Sequence, residues 1–390
     1  MKQTLLILSV LLVVSTCLAA PEAGRTQVAG DFWFRYHVDR QDDSTQRSAF
    51  TVERGYFGLG YKWNEHVDGQ MTINVFSSAD QSGWDFELRD AYLNLYYFVP
   101  NGKMRVGLQK NYFGTVHDWK YLTVRRSLAD AVGVVSERDY GVAFLGTLPD
   151  YGAEWTFAIM NGEGYSSGFN PPYADRQPGF MASFRFVPMT ETTVGFSFLK
   201  DKRYVWRWDE VGYGSSIGYE DRTAYCFLAR FGRGPLSVLG EYLIYDYPIP
   251  SREDWNEPVN VTGTGFMVFP MLRVTDKLDI VARYDMWDPD KDSDDPIWQP
   301  PSGFTSTMDT PEPWWVPQNY RDPRYYYVKH NVYVFGFNYN ITKRMEGEPG
   351  VTLQVNWQRM DPQEEMAGQT LDPFDSFIFQ VRWGWGGLDF

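Results

Sequence analysis

An all-β fold is predicted for this chain: a transmembrane antiparallel β-barrel of about sixteen strands, with short periplasmic turns at one rim and long external loops at the other. Three observations predict it. Residues 377–385 carry bulky apolar or aromatic side chains at every odd position (Phe377, Phe379, Val381, Trp383, Trp385), while Gln380, Arg382 and Gly384 hold even ones. This is the two-residue period of a strand with one greasy and one wet face. The same rhythm recurs from about residue 28 to the C-terminal Phe390, its apolar face crowded by Phe, Tyr and Trp, as in membrane-spanning strands. Beyond the N-terminal stretch no apolar run approaches the roughly 18 residues of a spanning helix, and mean hydropathy is negative at -0.41. Yet the chain is 17% aromatic and 43% hydrophobic. Alternating lipid-facing and water-facing positions reconcile the two.

The chain opens with Lys2, an apolar stretch from Leu5 to Val14 and small residues through Ala20, the three-part layout of a secretory signal peptide. Cleavage after Ala19 is expected, with Cys17 and Ala19 at the recognition positions, leaving residues 20–390 as the barrel domain. Cys226 then has no cysteine partner for a disulfide.

Alternation and turn signals place strands near 28–38, 50–63, 67–76, 86–97, 103–110, 139–147, 153–161, 179–187, 192–200, 222–231, 235–245, 261–271, 277–286, 329–340, 350–359 and 376–385. The connections alternate. Short ones fall at 64–66, 100–102, 149–152, 188–191, 232–234, 274–276 and, less tightly, 341–349. Long ones cover 39–49, 77–85, 111–138, 162–178, 201–221, 246–260, 287–328 and 360–375. Outer-membrane barrels have this asymmetry, whereas nothing in a sandwich or propeller demands it.

Charge tests the register, because an Arg or Lys on the lipid face at mid-membrane costs ~2–4 kcal/mol. With Met104, Val106 and Leu108 facing lipid, Arg105 faces inward; the same phase turns Arg185, Arg230, Arg283 and Arg382 inward, together with Glu154, Glu241, Asp279 and Asp285. Glu53, Glu87, Arg89 and Lys329 break the phase and are expected on the lipid side, near the external strand ends where the cost fades. Each unpaired backbone polar group in hydrocarbon costs several kcal/mol, so the sheet must close. About sixteen strands enclose more space than side chains fill. Residues 111–138 are the segment expected to fold into that space.

Several stretches resemble, in order and spacing, the phosphate-selective porin O and P family. They are Phe50 to Leu59 (FTVERGYFGL), Glu87 to Leu93 (ELRDAYL), Arg105 to Lys110 (RVGLQK), Arg126-Ser127, and Arg138 to Val142 (RDYGV). Further on, Asn161 to Gly164, Arg185 before Pro188, Glu241-Tyr242, Val281 to Asp285 and Gly336 to Tyr339 fit the same pattern, so the likeness covers most of the mature chain. The resemblance implies a sixteen-stranded outer-membrane channel, a homotrimer, with an inward loop that narrows the pore and basic residues that line it. Arg126 and Arg138 match the family's constriction positions, with Lys120 and Arg125 close by.

Taken residue by residue, Arg125 and Arg126 could hold a lumen anion through charge-assisted donors or pin the loop by pairing with Asp118, Asp130, Glu137 or Asp139. Arg105, Arg185, Glu241, Arg283, Asp285 and Arg382 are the expected charged lining of the lumen. Asp288, Asp290, Asp292, Asp294 and Asp295 crowd one external loop, but an EF-hand needs Gly at its sixth place and Glu at its twelfth, where Ser293 and Gln299 stand. A solvated acidic loop is favoured over a metal site. Trp298, Trp314, Trp315 and Tyr325 to Tyr327 pack that loop or stack on sugars at its mouth. His37, His66, His117 and His330 are scattered, and His117-Asp118 has no catalytic companion.

The expectation is a passive porin of a bacterial outer membrane, for small hydrophilic solutes with weak selectivity for anions, opposed in part by a formal net charge of -14. Adhesion through the external loops and outer-membrane hydrolysis are the competing classes. No cofactor and no nucleic-acid partner is expected; lipid, lipopolysaccharide and, through the terminal Phe390, the barrel-assembly machinery are the expected partners.

Overall fold

The computed structural model describes residue 24 and residues 26–41, 44–77, 83–116, 125–162, 177–189, 191–207, 216–250, 258–292, 328–342, 350–363, 365–366, 369–370 and 372–385. The signal peptide expected at 1–19, the candidates Lys120 and Asp294, the pair His117-Asp118, the aromatic residues of the long loop, and Phe390 lie outside these residues.

Sixteen antiparallel strands form one closed barrel: β1 (Thr26–Gln41), β2 (Ser44–Asn64), β3 (Val67–Ser77), β4 (Trp84–Leu95), β5 (Gly102–Lys110), β6 (Arg138–Leu148), β7 (Ala153–Met160), β8 (Gly179–Met189), β9 (Thr192–Arg207), β10 (Ser216–Arg233), β11 (Leu236–Pro250), β12 (Pro258–Arg273), β13 (Leu278–Asp288), β14 (His330–Asn340), β15 (Gly350–Pro362) and β16 (Phe374–Trp385). Each strand pairs with its sequence neighbours, and β1 closes on β16 from Gly30↔Trp385 to Gln41↔Phe374. A two-stranded ribbon, Glu365–Met366 with Gln369–Thr370, stands apart from the barrel sheet.

Several strands run further at the long-loop rim than alternation indicates. The loops expected at 39–49, 201–221 and 246–260 are largely hairpin: Gln41 pairs with Ser44, Arg207 with Ser216 and Pro250 with Pro258. The apolar signal marks only the lipid-contacting part of a strand. The backbone ladder continues above it.

A second correction concerns the charges assigned to the lipid face. In β2 the pairing with β1 passes from Trp33↔Arg54 to Phe34↔Val52, leaving Glu53 as an extra residue. In β4 the pairing with β3 passes from Thr72↔Asp90 to Ile73↔Leu88, leaving Arg89 extra. A bulge of this kind lets one strand change phase. Phe50 is exposed above the first bulge and Leu59 below it, while Arg54 and Tyr56 are buried inside. Likewise Phe86 and Leu88 face out above the second bulge and Leu93 below it. Glu53 therefore meets Arg35 of the inner wall at 3.0 Å, Glu87 accepts from Asn74 at 2.8 Å, and Arg89 is buried against Tyr56. Lys329 pairs with Asp288 at 2.8 Å.

Both faces of the closing seam are reinforced. Outside, Trp385 lies across Gly30, where its ring leaves no room for a Cβ, and stacks on Phe32 at 5.3 Å. Inside, a hydrogen-bond ladder crosses the seam: Arg35 donates to Gln380 (3.0 and 2.8 Å), Gln380 to Gln354 (2.6 Å) and Gln354 to Asn338 (3.0 Å).

Candidate pore constriction

The loop between β5 and β6 is drawn across the barrel interior and anchored at every described stretch. It leaves the wall beside Arg105, which is oriented by Asn94 (2.8 Å), lies over the Tyr92 ring (3.9 Å) and donates to the Tyr112 hydroxyl (2.7 Å). Asn111 starts a tight turn by accepting from Phe113 N, and Gly114 follows in the left-handed region at φ 53°. A glycine is required there twice over, because a Cβ would also press on the Cys226 sulfur at 2.8 Å. Gly114 N donates to Ser197 Oγ (3.0 Å), Arg185 donates to Gly114 O (2.6 Å), and the Thr115 hydroxyl bonds the carboxylate of buried Glu241. Strands β8 to β11 thus hold the descending arm.

The returning arm begins at Arg125, whose Nε donates to Asp285 at 2.9 Å while Arg283 grips the same carboxylate at 2.7 and 2.8 Å. Ser127 then caps the short helix α1 (Leu128–Ala131) by accepting from Asp130 N, and Gly133 at φ 66° ends it. Arg222 of β10 donates to Val134 O (3.1 Å) and to Asp201 (2.6 Å).

Between these anchors lies a dry core. Phe113, Val116, Leu128, Val132, Val134 and Val135 of the loop pack on inward residues of β6 to β13, among them Leu239, Leu243, Met267, Phe269 and Trp287. Gly265 lets Leu128 approach the β12 backbone, its absent Cβ being 3.1 Å from the leucine methyl. One sector of the inner wall is therefore apolar and covered by the loop. The opposite sector, on β1 to β4 and β14 to β16, is lined by amides, hydroxyls and paired charges such as Arg382 with Asp31 (2.6 Å). Sequence reasoning expected a polar lining throughout and missed this division.

Each described candidate arginine of the constriction has a carboxylate partner. Arg125 has Asp285. Arg126, 36% exposed along its side chain, stands 3.5 Å from Asp130. Arg138 is fully buried, with Nε on Asp90 at 2.7 Å. Burial pushes the Asp130 carboxyl up to about 6 against the pull of Arg126. The two residues that motif reading passed over are Arg54 and Arg89, both inside and both within reach of Glu137.

The described part of the acidic loop, Asp288 to Asp292, gives no convergent site. Asp288 pairs with Lys329 and Asp292 with Lys291, and among the described residues no group of three His, Cys, Asp or Glu side chains is arranged to hold a metal ion.

The sequence matches no protein-family model and no curated protein. Solved structures give a different result. The fold is similar to that of the outer-membrane channel DcaP of Acinetobacter baumannii (TM-score 0.64, 11% identity, 95% of this chain and 99% of that one). It is also similar to an anion-selective porin from Comamonas acidovorans (0.60, 11%, 93% and 99%) and to the trimer form of in-vitro folded OmpT, an outer membrane protein of Vibrio cholerae (0.56, 13%, 93% and 100%). At such identities the likeness is one of fold. The chain has the closed antiparallel barrel of Gram-negative outer-membrane proteins.

Proposed function

We propose that this chain is an outer-membrane porin, a passive channel through which small hydrophilic solutes diffuse and in which no chemistry is performed. The observation that carries the reading is that one closed sixteen-stranded sheet wears aromatic side chains outward, lines one sector of its interior with polar and charged ones, and receives a long loop against the other. A ring of this size leaves a water path beside the loop, and the path runs along the polar sector. The bulk of the loop narrows it.

Within this reading Arg126 is the described arginine best exposed to give a weak preference for anions, phosphate among them, and Arg125, Arg138 and Lys120 remain the other candidates. The resemblance of several motifs to those of phosphate-selective porins and the similarity of fold to an anion-selective porin support that preference; the pairing of each described arginine with a carboxylate keeps it weak. A homotrimer is supported by the resemblance and by the trimer form of one structural neighbour. Removal of residues 1–19 on export, contact with lipid and lipopolysaccharide, and assembly through the C-terminal strand complete the proposal. Reconstitution into a planar bilayer tests it: discrete conductance steps are expected, with a reversal potential in a salt gradient on the anion side of zero. Folded protein that gives no steps refutes the channel.

A further inference from the structure

Glu137 closes the return of the inward loop, one residue before β6, and two strands converge on its carboxylate. Arg54 of β2 donates to both oxygens at 3.0 and 2.7 Å, and Arg89 of β4 approaches one at 3.4 Å. Arg54 follows one bulge and Arg89 is the extra residue of the other. Behind them Arg138 binds Asp90. With Arg126 and Asp130 of the loop, which face Glu137 from the other side, the cluster sets four guanidiniums against three carboxylates. Nε and Nη1 of Arg89 and Nη2 of Arg138 make no hydrogen bond, although the Arg89 guanidinium lies over the Tyr56 ring at 3.6 Å. Burial would raise the Glu137 carboxyl, but Arg54 and Arg89 hold it well below the usual carboxylate range.

We propose that Glu137 is a selectivity-determining residue of the channel: by masking Arg54 and Arg89 it sets how much positive field the loop root throws into the ion path. The inference rests on the porin reading and adds a residue that the constriction motifs do not contain. Field lines in a lumen with low-dielectric walls are focused along the path. One unmasked unit charge within about a Debye length, ~10 Å, of passing ions shifts the anion-to-cation permeability ratio about two- to fourfold.

Reversal potentials of the reconstituted full-length protein test this, with folding followed by the shift between unheated and heated bands on a denaturing gel. Glu137→Gln, close in shape, is expected to raise the anion-to-cation ratio about two- to fourfold. The double variant Arg54→Gln/Glu137→Gln restores the charge count and is expected to return the ratio to that of the parent. Arg89→Gln removes the least satisfied guanidinium and is expected to lower it, which decides the matter should Glu137→Gln not fold. A merely structural role would change conductance as the loop moved, without this sign pattern. A parent that conducts while Arg89→Gln, and Glu137→Gln where it folds, leave the ratio unchanged overturns the role of Glu137 alone; a folded parent without conductance overturns the porin reading and this inference together.

Discussion

Deleting Glu53 should leave the barrel folded, an outcome that strict alternation forbids. Above the bulge the lipid-facing residues of β2 are Phe50 and Val52; below it they are Phe57 and Leu59. With Glu53 removed, Val52 adjoins Arg54, and the sequence alternates without interruption: Phe50 out, Thr51 in, Val52 out, Arg54 in, Tyr56 in after Gly55. The direct loss is the ion pair with Arg35, whose carboxylate partner is 31% exposed, a contribution discounted by solvent to below about 1 kcal/mol. Deleting Phe57 is the control, because no bulge absorbs it and one half of the strand must turn inside out. If Arg54 goes to the lipid side it costs ~2–4 kcal/mol there and abandons Glu137, a further ~3–5 kcal/mol for a broken buried pair. Urea titration of both variants refolded into vesicles measures the difference. A Glu53 deletion as damaging as the Phe57 deletion would show that the bulge reading of β2 is wrong.

Other perturbations test other parts of the interior. Leu128→Ala empties the loop side of the dry core and should cost about 2–4 kcal/mol; urea unfolding reads the loss, and faster trypsin cleavage after Arg125 or Arg126 reads the loosened loop. Asp130 has its carboxyl raised from 3.8 to about 6, so between these values the folded state binds the proton that the unfolded state has released. Stability therefore falls as pH rises from about 4 to about 6, by at most about 3 kcal/mol, and Asp130→Asn should flatten that slope in a series of urea midpoints. Arg35→Ala breaks the seam ladder at its first rung and leaves the Gln380 carbonyl without its donor; a loss of about 1–3 kcal/mol in the same titration is expected.

Strand number, closure and the inward segment were legible because lipid imposes a rule on every second residue of each crossing. What escaped was legible too, in a different signal. Glu53-Arg54 and Arg89-Asp90 are pairs of adjacent charges inside strands, and alternation cannot turn both members of such a pair inward. Sending one to the lipid rim is one solution; a bulge is the other, and it has the lower cost wherever the strand must also reverse its apolar phase. Phe50 and Phe86 on even positions, with Leu59 and Leu93 on odd ones, announce that reversal. Which ion pairs then form across the lumen could not be read, since the partners Arg54 and Glu137 are 83 residues apart and meet only when the loop is docked.

The wall on which the loop docks follows from the strands that lack a wet face. In β12, from Val261 to Leu272, no charged residue occurs, and Met267 and Phe269 alternate with Phe266 and Val268, so both faces are apolar. β11 is similar, with Leu239, Leu243 and Tyr245 inward beside Glu241. A strand that is apolar on both sides of a membrane barrel cannot present its inner face to water without losing burial worth about 25 cal/mol per Å². Some other part of the chain must cover it. The segment 111–138 supplies the matching surface in Phe113, Val116, Leu128, Val132, Val134 and Val135, and its one turn of helix sets Leu128 on Gly265, where the wall has no side chain. The proposed ion path is thereby displaced toward β1 to β4 and β14 to β16, so the residues that tune it belong on those strands and on the loop root that faces them, where Arg54, Arg89 and Glu137 meet.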